Sequence, residues 1–174
     1  MEIYISQRRI AARIRKIGKE ISEFYEGKPV TALVLMNGAM FFAADLCRHL
    51  VGDLFIDSIA VSSYRDNSSS GKLSFRGQAK LPMAGRHALL VDGVLDTGLT
   101  LKTVREWAKG QGALSVRTCV LAEKAHKRTE DILHADWTAF QLPDKYLVGY
   151  GMDDKEQYRQ LPYIAVVEPS EYLP

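Results

Sequence analysis

Long apolar runs alternate along this chain with stretches in which apolar residues recur at helical spacing. Between Ser6 and Tyr25, Ile10, Ile14, Ile17, Ile21 and Phe24 follow one another at intervals of four, three, four and three. That repeat lays a single apolar stripe along a helix. Ser6 can cap its start, and Gly27 and Pro29 follow its end. "TALVLM" (31–36) reads as a buried strand, followed by Asn37-Gly38 and a second helix over "AMFFAADLCRHL" (39–50), closed by Gly52. "LFIDSIAVSS" (54–63) is strand-like. "YRDNSSSGK" (64–72) has nothing to bury and reads as a mobile loop, because strand-like "LSFRGQ" (73–78) follows directly. "HALLVD" (87–92) is a short apolar strand ending at Asp92, Thr97–Lys109 a helix stopping before Gly110 and Gly112, and "LSVRTCVLA" (114–122) another strand. "WTAFQL", "YLVGYG" and "YIAVVEP" complete the chain as short strands separated by turns. Helices alternating with apolar strands predict an α/β fold. Its central, mostly parallel sheet is covered by helices on both faces, within one domain over residues 1–174.

The stretch "ALLVDGVLDTGLTL" (88–101) carries the densest chemistry. Ligands of open α/β sheets bind beyond the carboxyl ends of strands, so residues 92–100 should line a site. A loop running Asp96-Thr97-Gly98-Leu99-Thr100 into a helix offers free backbone N–H groups, a positive dipole end and two hydroxyls to an anion. Carboxylates beside such a site suit hydroxyls, a metal ion or a proton in transit. The residues alone equally allow a strand-turn-helix in which Thr97 is a plain N-cap and the aspartates are solvated.

Composition narrows the classes. Apolar residues at 47% and charged residues at 25% fit a soluble globular chain. A net charge of +2 gives no reason to expect nucleic acid or an anionic membrane as a partner. No apolar run is long enough to span a bilayer. The first fifteen residues hold four arginines and no hydrophobic signal core, which points to the cytoplasm. Cys47 and Cys119 lie far apart in apolar contexts and read as free thiols. Four scattered histidines give no zinc spacing.

"LLVDGVLDTGLTL" resembles the phosphoribosyl-pyrophosphate (PRPP) signature of type I phosphoribosyltransferases, and its Asp-Thr-Gly-x-Thr form resembles the hypoxanthine-guanine branch. Other motifs of that branch occur in order. "VLMNGAMFFAADL" is similar to its first loop and helix, and "SSYRDNSSSG" to its Ser-Tyr catalytic loop. Lys124 in "AEKAHKRT" resembles the purine-contacting lysine, and "FQLPDKYLVGYGMDDKEQYRQLPYIAVV" the C-terminal hood segment.

The resemblance implies a type I phosphoribosyltransferase fold. It has a flexible antiparallel catalytic loop and a small hood built from the N-terminal segment and about residues 124–160. It implies transfer of the phosphoribosyl group of PRPP to N9 of a 6-oxopurine, giving IMP or GMP and pyrophosphate, with Mg2+ as cofactor and a homodimer or homotetramer as the working unit. By residue, it implies Asp96 as the group that takes the purine proton. Asp96, Thr97, Gly98, Leu99 and Thr100 would form the PRPP 5′-phosphate loop, and Asp92 would face the ribose hydroxyls and their magnesium shell. Asn37, Gly38, Ser63, Tyr64 and Arg159 would meet pyrophosphate, with a cis peptide between Met36 and Asn37. Lys124 would donate to the purine O6, Tyr146 would stack on the ring, and the Leu147 and Asp153 backbones would read its edge. Asp153 would also bind a second magnesium directly.

The chain departs from the family pattern at three places. Gly93 stands where a second carboxylate is usual, Asn37 where lysine is common, and Ala125 where proline is common. Gly93 implies weaker PRPP binding unless its backbone serves another purpose. Two rival functions share the fold: a PRPP-binding regulator without turnover, and a transferase for xanthine or a pyrimidine. The hydrogen bond implied from Lys124 to O6, together with the hood motif, weighs against pyrimidines.

Overall fold

The computed structural model describes residues 1–63, 73–76, 79–124, 134–143 and 145–167. A six-stranded sheet is built from β2 (Val30–Met36), β3 (Leu54–Ser63), β4 (Leu73–Arg76), β5 (His87–Leu95), β6 (Ser115–Lys124) and β7 (Trp137–Leu142). Its order is β4-β3-β2-β5-β6-β7, and only the β3–β4 pair is antiparallel. Three helices cover it: α1 (Gln7–Tyr25), α2 (Met40–Cys47) and α3 (Leu99–Gly110). A second, three-stranded antiparallel sheet joins β1 (Glu2–Ile5), β9 (Ile164–Val166) and β8 (Leu147–Val148) in that order.

Strand alternation sorts the core into two layers. Leu89 and Val91 of β5 face the cluster under α1 and α2, while Ala88 and Leu90 face the cluster under α3. Helices therefore lie on both faces of the parallel sheet, as the apolar strands predict. On α1, Ile10, Ile14, Ile17 and Ile21 are each at most 1% exposed. Each contributes about 1.5–3 kcal/mol by burial. Ser6 caps the helix by accepting from the Arg9 N–H, and Glu26 closes it in the left-handed region at φ 50°.

Four local readings need correction. Phe24 is not on the buried stripe: the helix turns Tyr25 inward, and Phe24, 47% exposed, packs edge-on against Trp137 at the rim. The second helix stops at Cys47 rather than near Leu50. Strand β5 does not end at Asp92 but runs on to Leu95, because Asp92, Val94 and Leu95 keep their pairing with β6. The third helix begins at Leu99, not Thr97, because Gly98 takes the cap position at φ 80°.

Candidate active site

The register of β5 and β6 pairs Leu95 with Glu123. The next residue on each strand, Asp96 and Lys124, therefore emerges at the same carboxyl edge of the sheet. Asp92, two pairs earlier, opens onto the same edge. Turns flanking β8 lie beside it, and the open cleft between them measures about 360 Å³. Gly38, Asp92, Gly93, Val94, Asp96, Lys124, Tyr146, Leu147, Gly151, Met152, Asp153 and Arg159 line it. The cleft thus gathers eight of the residues singled out from sequence: Gly38, Asp92, Asp96, Lys124, Tyr146, Leu147, Asp153 and Arg159. Asn37, Thr97, Gly98, Leu99 and Thr100 lie beside it in sequence without lining it. Ser63 ends β3, and Tyr64 falls outside the described residues.

The loop from Asp96 to Gly98 leads into α3 with Asp96, Thr97 and Leu99 exposed. No side chain caps α3 and no acidic residue sits in its first turn, so its dipole end is open to an anion. The Leu99 N–H reaches the Thr97 hydroxyl only at 3.4 Å, which is too long to act as a strong cap.

Asp92 is partly buried. Removal from water pushes its carboxyl up to about 6, against a 2.7 Å hydrogen bond donated by the Gly93 N–H. Arg159 donates to the Gly151 carbonyl at 2.8 Å and pairs with Asp153 at 2.9 Å and Glu156 at 3.0 Å. Its Nε is buried without a partner, a donor that an entering anion could use. The Asp153 carboxylate also accepts from the Glu156 N–H at 2.9 Å. The Tyr146 hydroxyl donates to Asp154 at 3.0 Å, which leaves the 44%-exposed ring at the cleft mouth.

The peptide between Met36 and Asn37 is cis. A larger cleft of about 560 Å³ lies elsewhere, between α2 and β3, lined by Met36, Met40, Cys47, Ile56 and neighbours. Its one carboxylate, Asp57, already accepts from the Ser58, Lys80 and Leu81 N–H groups, so that cleft has no free acid for chemistry.

Sequence reasoning missed the close approach of Gly93 and Gly151 to Gly38. It also missed Glu123, 4% exposed, which accepts from the Ala135 N–H, Thr138 hydroxyl and Gln141 amide and so fixes β7 beside Lys124. No periodicity signals either feature. Both depend on which strands become neighbours.

Comparison with known proteins places the chain. The family model of the phosphoribosyl transferase domain matches residues 2–155. The hypoxanthine-guanine phosphoribosyltransferase of Streptococcus pneumoniae R6 is 35% identical over 172 residues, covering 98% of this chain and 95% of its own. The hypoxanthine-guanine-xanthine phosphoribosyltransferase of Tritrichomonas foetus is 34% identical over 170 residues, covering 98% and 93%. The crystal structure of a hypoxanthine-guanine phosphoribosyltransferase from Bacillus anthracis superposes with a TM-score of 0.88 at 32% identity, covering 97% of this chain and 98% of that one. With such agreement over nearly the whole length, and a sheet edge that gathers the signature carboxylates, the chain belongs to the hypoxanthine-guanine phosphoribosyltransferase family.

Proposed function

We propose that the chain transfers the 5-phosphoribosyl group of PRPP to N9 of hypoxanthine or guanine. The observation that carries this reading is the convergence of Asp92, Asp96, Lys124, Tyr146, Asp153 and Arg159, from two sheets, on one cleft. In the reaction the C1–N9 bond forms, the bond from C1 to the pyrophosphate oxygen breaks, and the purine ring proton passes to Asp96. The C1 centre becomes cation-like on the way, so the site has to neutralise pyrophosphate and exclude water. Thr97, Gly98, Leu99 and Thr100 hold the 5′-phosphate at the open end of α3. Asn37, Gly38 and Arg159 hold pyrophosphate, together with Ser63 at the end of β3 and Tyr64, which follows it in sequence. The three-stranded sheet acts as the hood. There Tyr146 stacks on the purine, and the Leu147 and Asp153 backbones read its edge. Lys124 donates to O6, which separates 6-oxopurines from adenine.

The donor set also fits magnesium. Asp92 and Asp153 face one cleft, and the described residues hold no cluster of three or more His, Cys, Asp or Glu. Such sparse ligation suits an ion that keeps waters and shares its shell with substrate phosphates and hydroxyls. When bound, the ion neutralises charge on pyrophosphate. Asp153 would hold one ion directly, on pyrophosphate, and Asp92 would meet the other indirectly, through ribose hydroxyls or water.

The protein acts in the cytoplasm as a homodimer or homotetramer, and the exposed Met40 and Ile56 at the larger cleft are the apolar surface a second copy would cover. No helix among the described residues is long and apolar enough to cross a membrane. The test is a spectrophotometric assay of nucleotide formation from hypoxanthine, guanine, xanthine and adenine with Mg2+ and PRPP. Turnover of hypoxanthine or guanine in preference to adenine is expected. PRPP binding without turnover of any base would refute the reading in favour of a regulator.

A further inference from the structure

The glycine at position 93 is not there for its backbone torsion. Residue 93 lies inside β5 and is absent from the positive-φ positions of the chain. The reason is space. A β-carbon at position 93 would lie 2.8 Å from the Gly38 carbonyl oxygen and 3.0 Å from its carbon, closer than side-chain carbons approach backbone. The same oxygen is met by Gly151, at φ 99°, where a β-carbon would overlap it outright. Gly151 is itself tied to Arg159 twice: its N–H donates to the Arg159 carbonyl at 2.9 Å, and its carbonyl accepts from the Arg159 guanidinium at 2.8 Å. The Gly38 carbonyl therefore sits in a slot with one glycine wall from the large sheet and one from the turn after β8.

We propose that Gly93 and Gly151 are positioning residues that set the reach of the Asn37–Gly38 loop toward pyrophosphate. The proposal rests on the transferase reading of the cleft. The slot fixes the loop between Asp92, the neighbour of Gly93, and Arg159, the partner of Gly151. Its amide donors thereby keep one distance from both charged groups. A carboxylate side chain at position 93, usual in the family, has no room here unless the loop withdraws. This chain has closeness of the loop where its relatives have a second acceptor.

Calorimetry on the full chain tests this, with pyrophosphate plus Mg2+ as one probe and IMP as the other, since IMP carries the base and the 5′-phosphate but no pyrophosphate. Gly93→Ala and Gly151→Ala should each weaken pyrophosphate about tenfold or more, the effect of one misaligned donor to a charged group, and leave IMP within about threefold. Both push on one oxygen, so the double variant should lose less than the product of the two. In steady state the KM for PRPP should rise in Gly93→Ala more than kcat falls, and Gly93→Asp should not lower it. A folded Gly93→Ala that binds pyrophosphate like the parent overturns the proposal, as does equal loss of both probes or a lowered KM in Gly93→Asp. If the variants do not fold, a crystal structure of the parent with magnesium pyrophosphate decides. A Gly38 oxygen seated between the two glycines supports the slot, and a loop withdrawn from them overturns it. A parent that binds neither probe removes the transferase reading, and the proposal with it.

Discussion

Asp92 is where binding chemistry and stability pull in opposite directions. Its carboxyl is pushed up from 3.8 to about 6, chiefly because the fold takes it out of water. At about 1.4 kcal/mol per tenfold change in proton affinity, the ionised group is about 3 kcal/mol less favourable in the fold than in the unfolded chain. The sign follows from proton binding. Below about pH 4 the group is protonated in both states and contributes nothing. As pH rises from about 4 to 6 the unfolded chain releases this proton first, and stability is lost; above about pH 6 the loss is complete. Asp92→Asn keeps an oxygen for the 2.7 Å hydrogen bond from the Gly93 N–H and removes the buried charge. At pH 7.5 the variant should melt higher by roughly 6–12 °C, at about 2–4 °C per kcal/mol for a chain of this size. The difference from the parent should shrink toward zero near pH 4, where acid effects shared by both chains cancel. The assay is thermal or urea unfolding of parent and variant across pH 4–8 without ligand, alongside PRPP kinetics, in which the variant should be much the weaker. A variant no more stable than the parent at pH 7.5 would refute the view of Asp92 as a desolvated charge held for its ligand.

The remaining predictions concern turnover and base choice. Asp96→Asn should lower kcat by roughly 10² to 10⁴, the usual span for proton transfer, and leave IMP affinity little changed; equal losses in both would assign Asp96 to the phosphate loop instead. Lys124→Ala should cost about 1.5–3 kcal/mol, or roughly tenfold to a hundredfold, in purine affinity and relax discrimination against adenine. Competition between hypoxanthine and adenine measures that, and retained selectivity would mean that another donor reads O6. In the parent, the KM for PRPP should rise as pH falls through about 6, because protonated Asp92 no longer accepts from ribose hydroxyls. A flat profile between pH 5 and 7 would exclude Asp92 from that contact.

The α/β architecture was legible because burial writes itself into spacing. The isoleucines of α1 and the unbroken runs of β2 and β5 can be read without knowing their neighbours. The apolar strand running into Asp92 and Asp96 made those two visible, Lys124 was reached through the family resemblance, and the register of β5 on β6 puts Asp96 and Lys124 at one edge. The crowding at Gly93 was hidden for a physical reason. Its sequence context suggests only a missing acceptor, and the glycine answers also to Gly38, which only the assembled sheet brings within 3 Å of where its β-carbon would stand. The start of α3 was misplaced because threonine is a common cap, and nothing local says that Gly98 will take the left-handed cap position first.

The pairing of β1 with β9, Glu2 opposite Val166, has a consequence for biosynthesis. Strand β1 has no sheet partner until β9 has left the ribosome, whereas β2 and β3 can pair as soon as they emerge. Closing so long a stretch of chain comes late in folding. The wall that would grip the base therefore forms after the cradle that would grip the sugar phosphate. A nascent chain is expected to bind PRPP before it can select a purine, and nucleotide bound across the two sheets would tie the early-forming sheet to the late-forming one.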